Sequence, residues 1–295
     1  TLHIVVRSKY WSTGPSKGYT LRLKGATGAN RLFAAHAGET SDQLANAVVA
    51  LPDGGAVVAG KTGTGLGAAW IARYALDGSM MWQQRFVQAN FSNFNEFRGL
   101  DLTSDGVILA GGNSSAFGGG GLGTSKRLYT TGATSEVQDT VFTNGPNTTV
   151  AAVRAEADDG ALIAGEQSAS GSRQAYVARV NRFGQPAWSL VLPDQYSWFS
   201  DVVRTPNGIV AVGTRANFDG SNYDGLVVAM NDSGGLLWAR TVGGTSSDEF
   251  AAVAAQPGGG VVVAGYSLSF QAAGGSSYDA WVVAFGLSRL LQELG

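Results

Sequence analysis

Apolar residues along this chain come in short runs about five residues long, many alternating with polar ones and bounded by Gly, Asp, Asn, Pro and Ser. No stretch sustains the i, i+3, i+4 spacing of an amphipathic helix, so the pattern predicts strands throughout. One unit recurs. The turn and apolar run "PGGGVVVAGYS" at Pro257–Ser267 has counterparts in "PDGGAVVAGKTG" at Pro52–Gly63, "SDGVILAGGNS" at Ser104–Ser114, "DDGALIAGEQS" at Asp158–Ser168 and "PNGIVAVGTRA" at Pro206–Ala216. The glycines that close these runs are read as Gly60, Gly111, Gly165, Gly213 and Gly265. Projecting the period back from Gly60 lands on Arg7, at the end of "LHIVVR", so a sixth copy begins the chain.

Each copy has further matching parts. A run such as "DEFAAVAAQ" or "WFSDVVRT" precedes the glycine turn, and an alternating run such as "AYVARVN" or "AWVVAF" follows a variable loop. A turn then leads to a fourth run, often carrying Trp, as in "FGQPAWSLVL". Four antiparallel strands in about fifty residues is the period of a propeller blade. The prediction is therefore all-β: a single β-propeller over residues 1–295, most simply six blades of four antiparallel strands. The copies fall at about 1–38, 39–90, 91–145, 146–194, 195–244 and 245–295, and the first lacks its leading run. Trp82, Trp188 and Trp238, with Phe33 in copy one, are placed to plug the gaps between sheets. Phe142 is a looser equivalent, and copy six offers only Leu291.

The pattern from "DEFAAVAAQPGGGVVVAGYS" to "YDAWVVAF" resembles the bacterial propeller repeats known as delta-sixty and SBBP-type repeats. The matching positions are Asp42, Glu96 and Asp248 opening the first strand, and Asp224 and Asp279 before the third. Copies three and four depart most from that pattern. The resemblance implies a propeller in exported or surface-attached bacterial proteins, and no particular chemistry. "LDGSMMW" and "DSGGLLW" also resemble the tryptophan-docking turn of quinoprotein-type propellers, which include the scaffold of outer-membrane assembly.

Composition narrows the function classes. Twenty Lys and Arg against 22 Asp and Glu give a net charge of −2, with no basic stripe to neutralise phosphates, which argues against nucleic acid. The apolar runs fall far below the roughly 18–20 residues of a membrane-spanning helix. The absence of cysteine removes thiolate catalysis, zinc–thiolate sites and disulfides. The chain opens at "TLHIVV" with no Met and no signal-peptide pattern, and the expectation is an exported, processed and monomeric protein.

Motifs that suggest chemistry fare poorly. "GGGGLGTSK" at Gly118–Lys126 has Thr124 where a phosphate-binding loop needs Lys, and a strand follows it in place of a helix. "NFDGSNYDG" gathers Asn217, Asp219, Asn222 and Asp224, oxygen ligands that could hold calcium but also the residues that tight turns require. His3 and His36 are the only histidines and have no identifiable partners. The acids Asp42, Glu96, Asp201 and Asp248 could converge for glycosidic cleavage, yet three of them occupy repeat positions.

Aromatic residues that break the repeat are better candidates. Tyr10, Trp11 and Tyr19 lie in the first long loop, Phe91, Phe94 and Phe97 in "NFSNFNEF", and Tyr196, Trp198 and Phe199 in "DQYSWFSD". In loops, such side chains stack on sugars or anchor proteins. The sequence thus predicts a non-enzymatic module that binds a protein or glycan through Tyr10, Trp11, Tyr19, Tyr196 and Trp198. The alternatives are a polysaccharide-acting propeller enzyme and an outer-membrane assembly scaffold.

Overall fold

The computed structural model describes residues 43–63, 67–86, 93–115, 121–129, 140–142, 148–169, 172–193, 196–216, 222–271 and 277–286. Among them the chain is all β, with five antiparallel sheets in sequence order. The first sheet holds β1 (Gln43–Ala50), β2 (Ala56–Thr62), β3 (Ala68–Tyr74) and β4 (Met80–Phe86). The second holds β5 (Asn93–Leu102), β6 (Val107–Ser115), β7 (Gly121–Tyr129) and β8 (Thr140–Phe142). The third holds β9 (Thr148–Ala155), β10 (Ala161–Ala169), β11 (Ser172–Val180) and β12 (Pro186–Val191). The fourth holds β13 (Ser197–Thr205), β14 (Gly208–Ala216), β15 (Tyr223–Met230) and β16 (Leu236–Val242). The fifth holds β17 (Asp248–Ala255), β18 (Val261–Ser267) and β19 (Asp279–Phe285). Each sheet is a meander in which every strand pairs with its chain neighbour. Copy one, 1–38, lies outside the described residues.

One irregularity repeats in every sheet. The leading strand slips register by one residue at Ala45/Ala47, Phe97/Gly99, Val150/Ala152, Phe199/Asp201 and Phe250/Ala252. Opposite each bulge stands a glycine of the second strand: Gly60, Gly112, Gly165, Gly213 or Gly265. A β-carbon there would lie 1.7 to 2.0 Å from the carbonyl oxygen of Leu44, Glu96, Thr149, Trp198 or Glu249. The recurring glycine is thus a backbone requirement of the bulge. In the third copy it is Gly112 that meets this oxygen, so the expected Gly111 is one residue early. The same register sets Glu96 against Asn113 and Glu249 against Tyr266, each one step beyond the closing glycine. Glu96 is therefore the equivalent of Glu249, and not of Asp248 as the sequence pattern suggested.

The core lies between sheets. Phe97, Phe199 and Phe250, each opposite a closing glycine and each 1% exposed, are buried in clusters shared with the preceding sheet. Phe97 joins Val57, Ala59 and Ile71; Phe199 joins Leu162, Ala164 and Val177; Phe250 joins Val210, Val212 and Val227. In the third sheet Val150 takes the equivalent place beside Leu109. The outer-strand tryptophans behave as predicted. Trp82, Trp188 and Trp238 pack against the cluster that their sheet shares with the next one. Trp188 also donates its indole N–H to the Asp232 carbonyl at 3.0 Å, in a turn of the following sheet.

The two ends of this row of sheets are less covered. On β1, Leu44 and Val48 are about half exposed, and on β19 Val282 is 65% exposed. In the fourth sheet, by contrast, β15 is buried continuously from Gly225 to Met230, on both faces.

Candidate functional site

Leading strands of all five sheets contribute to one cavity of about 490 Å³. It exists because the residues just past the bulges are small: Ala47, Gly99, Ala152 and Ala252 line it and leave its interior unfilled. The fourth sheet has Asp201 at this position. Asp201 is buried, and three donors hold it: Arg154 Nη2 at 2.6 Å, the N–H of Val202 at 2.9 Å and the N–H of Val253 at 3.1 Å. Asp101 has a similar role nearby, accepting from the N–H groups of Leu102 and Ala155 at 2.8 Å each. These carboxylates stitch one leading strand to the next.

The polar groups of the cavity come from residues that depart from the repeat. The bulged residue is Asn46 in the first sheet and Arg98 in the second, against Ala151, Ser200 and Ala251 in the others. A bulge re-aims a side chain, and Asn46 and Arg98 both line the cavity. Arg98 is ion-paired with Glu96. Arg154 enters from β9, where the equivalent positions hold Val49, Asp101, Val203 and Ala254. Tyr266, Tyr278 and Asp279 complete one side of the wall. The two tyrosine rings meet edge to face, with centroids 5.0 Å apart and planes at 88°.

The predicted site residues divide. Tyr10, Trp11 and Tyr19 lie outside the described residues, as do Asn217 and Asp219. Tyr196 is 39% exposed and holds φ at +61°, a left-handed backbone that non-glycine residues adopt at a cost of about 1–3 kcal/mol. Its carbonyl accepts the N–H of Ala216 at 2.8 Å, which fixes the turn. Trp198 is not an open platform. The Arg173 guanidinium stands 4.5 Å over its ring and Tyr223 lies against it at 5.8 Å. Arg173 is in turn paired with Glu166. Trp198 therefore caps the junction of the third and fourth sheets.

Of the candidate calcium ligands, Asn222 uses its side-chain oxygen to accept the N–H of Tyr223 at 3.0 Å. Asp224 faces Asp248 of the next sheet across Gly243. A β-carbon on that glycine would stand 2.1 Å from Asp224 Oδ1 and 2.9 Å from Asp248 Oδ2. Asp248 is fully buried and accepts from Ser267 Oγ, from the N–H of Gly244 at 2.7 Å and from the N–H of Ser269 at 3.3 Å. Asp224 Oδ1 is buried with no hydrogen-bond partner. Burial first, and then the charge of Asp248, push the Asp224 carboxyl above its usual range. Among the described residues no three His, Cys, Asp or Glu side chains gather as metal ligands would.

Sequence reasoning passed over Arg98, Arg154, Tyr266 and Tyr278. The signal available was the one used for the aromatics, departure from the repeat, but it needed the correct bulge register to be read on the leading strands.

No family model matches this chain, and no curated protein matches it. Among solved structures it is similar to a protein of unknown function from Dyadobacter fermentans, with a TM-score of 0.53 and 14% identity over 79% of this chain and 77% of that one. At that identity the likeness is one of fold alone. A protein of unknown function from Bacteroides caccae matches with a TM-score of 0.36 and 13% identity, over 78% of this chain and 89% of that one. A puromycin hydrolase mutant matches with a TM-score of 0.33 and 14% identity, over 75% of this chain and 42% of that one. Neither of these two scores carries an argument about function.

Proposed function

We propose that this chain is an exported, non-enzymatic binding module, built as a six-bladed β-propeller, whose loop face takes carbohydrate. The propeller reading is supported by five consecutive sheets, each packed on the next, with all five leading strands around one cavity. On the repeat pattern, the runs "LHIVVR" and "YTLRL", and the segment around Phe33, are the candidates for the sixth blade. The half-exposed Leu44 and Val48 at one end of the row and the exposed Val282 at the other are the surfaces such a blade would cover.

The observation that carries the binding reading is the gathering of aromatic and polar side chains at one end of the sheets. Tyr196 and the Tyr266–Tyr278 pair sit at the end where leading strands begin, second strands end and third strands start, beside Trp198 beneath Arg173 and Tyr223. Aromatic rings beside polar partners suit the apolar face and hydroxyl rim of a sugar. The acids nearby are committed to structure: Asp101, Asp201 and Asp248 accept backbone N–H groups, and Glu96 pairs with Arg98. This favours a binder over a glycosidase, which needs an accessible carboxyl pair.

A glycan array with the full chain tests the proposal, with Tyr196→Ala and Tyr278→Ala as controls. Saccharide binding that either variant weakens supports it. A silent array, with a protein partner captured by the wild type and lost by the same variants, moves the function to protein recognition. Release of reducing ends from a bound polysaccharide overturns the non-enzymatic reading.

A further inference from the structure

We infer that the cavity between the leading strands is the seat of an acidic saccharide, a sugar bearing a carboxylate. The inference rests on the carbohydrate-binding reading and names the ligand class for one site within it. A volume of about 490 Å³ falls within the roughly 300–1,000 Å³ of small-molecule pockets.

The two guanidinium groups decide the ligand. Arg154 spends one N–H on Asp201 at 2.6 Å and one, at 3.3 Å, on the carbonyl of its own neighbour Val153. Its other N–H groups have no acceptor among the described residues, and its side chain is 34% exposed. The Asp201 charge is spread over Arg154 and two backbone N–H groups, so the outer edge of the guanidinium stays electropositive. Anchored in this way, Arg154 is pre-organised, and little side-chain entropy remains to be lost on binding. Arg98 reaches the same cavity from the neighbouring bulge, with Glu96 holding it in place. A planar guanidinium edge matches a carboxylate through paired, charge-assisted hydrogen bonds.

The rest of the lining accounts for the sugar. Tyr278, 36% exposed, presents a ring steadied by Tyr266. Asn46 donates its amide N–H to the Phe97 carbonyl at 2.8 Å, which leaves its oxygen as an acceptor for a hydroxyl. Asp279 forms part of the opposite wall. A neutral sugar would leave the guanidinium donors with hydroxyls alone, and a bare carboxylate would leave the tyrosines and the Asn46 oxygen unused.

Calorimetric titration of the full chain tests the assignment, using digalacturonate, its neutral counterpart galactobiose, and acetate. The expected result is digalacturonate binding at least roughly tenfold tighter than either of the others, the worth of one charge-assisted pair. Arg98→Gln should weaken it by a similar factor. Arg154→Lys keeps the charge beside Asp201 and so preserves the fold, with thermal unfolding as the check, yet loses the planar edge and should also weaken digalacturonate. Equal binding of galactobiose, equal binding of acetate, or indifference to Arg98→Gln overturns the assignment. So does failure of digalacturonate to bind at all. In that case array binding sensitive to Tyr196 leaves the carbohydrate reading standing, and a silent array removes both.

Discussion

At Gly265 a β-carbon would lie 1.8 Å from the Glu249 carbonyl oxygen, while at Gly258, seven residues earlier, it would meet nothing within 4 Å. The two glycines share one motif, but only Gly265 is held by close approach of another strand. Gly265→Ala is therefore expected to cost about 1–3 kcal/mol as the backbone shifts to relieve the overlap. Gly258→Ala is expected to change stability by less than about 0.5 kcal/mol. Urea unfolding of the two variants checks the contrast, and equal effects would remove the bulge explanation. The repeated glycine was legible in the sequence, but its position in the third copy was not. "LAGGNS" offers two adjacent glycines, and only the paired strand shows that Gly112 faces the bulge.

Asp224 and Asp248 make opposite predictions from one neighbourhood. Burial and then the Asp248 charge raise Asp224, so the folded chain holds that proton more tightly than the unfolded chain does. Its ionisation costs stability, absent below the ordinary carboxyl value near ~3.9 and growing as pH rises towards the raised folded value. Burial also pushes Asp248 upward, but hydrogen bonds from Ser267, Ser269 and Gly244 outweigh it and hold the carboxyl below its usual range. The stability from Asp248 is present above the ordinary value and lost as pH falls through the lowered one. Asp224→Asn should accordingly raise Tm at pH 7 and change it little at pH 3, whereas Asp248→Asn should lower Tm at pH 7. Scanning calorimetry at both pH values decides. A drop in Tm for Asp224→Asn at pH 7 would contradict the account.

The strand that joins neighbouring sheets most plainly is the fourth. Trp188 on β12 packs against the cluster built by the third and fourth sheets and bonds the Asp232 carbonyl beyond its own sheet. Gly234, with φ at +80°, leaves room for it, since a β-carbon there would stand 2.5 Å from the indole. At the same edge, Arg204 on β13 pairs with Glu156 from the turn after β9 and with Asp232, so both sheets share one ion-pair network. Trp188→Ala should cost about 3 kcal/mol, the low end for a core Trp because the residue is partly exposed. Loss of Trp188 should also expose β13–β14 amides to faster hydrogen exchange. An effect confined to β12 would show that the tryptophan stabilises only its own sheet. The role of Trp was readable from its recurrence at Trp82, Trp188 and Trp238. The packing of Trp198 was not, because the Arg173 that covers it comes from the preceding copy, and sequence spacing does not place the two together.

At the scale of the molecule, sheets of one pattern follow one another, and each after the first packs its leading strand against the sheet before it. A single sheet cannot cover both its faces, and a row always leaves two ends, here marked by Leu44, Val48 and Val282. The repeat made the five sheets legible, since four period-2 runs per copy are a local signal. The cavity was illegible for the opposite reason. Arg98 and Arg154 lie 56 positions apart in the numbering and meet only once the leading strands converge. The proposed closure of the row by 1–38 is the central claim, because it would bury the two exposed faces and enclose the cavity. Native-state hydrogen exchange on the full chain tests it most directly. The account predicts that amides of "LHIVVR" and "YTLRL" exchange as slowly as those of β14 and β15, as part of one cooperative ring. Exchange of those segments at the rate of an unfolded chain, with β14 and β15 still protected, would contradict it.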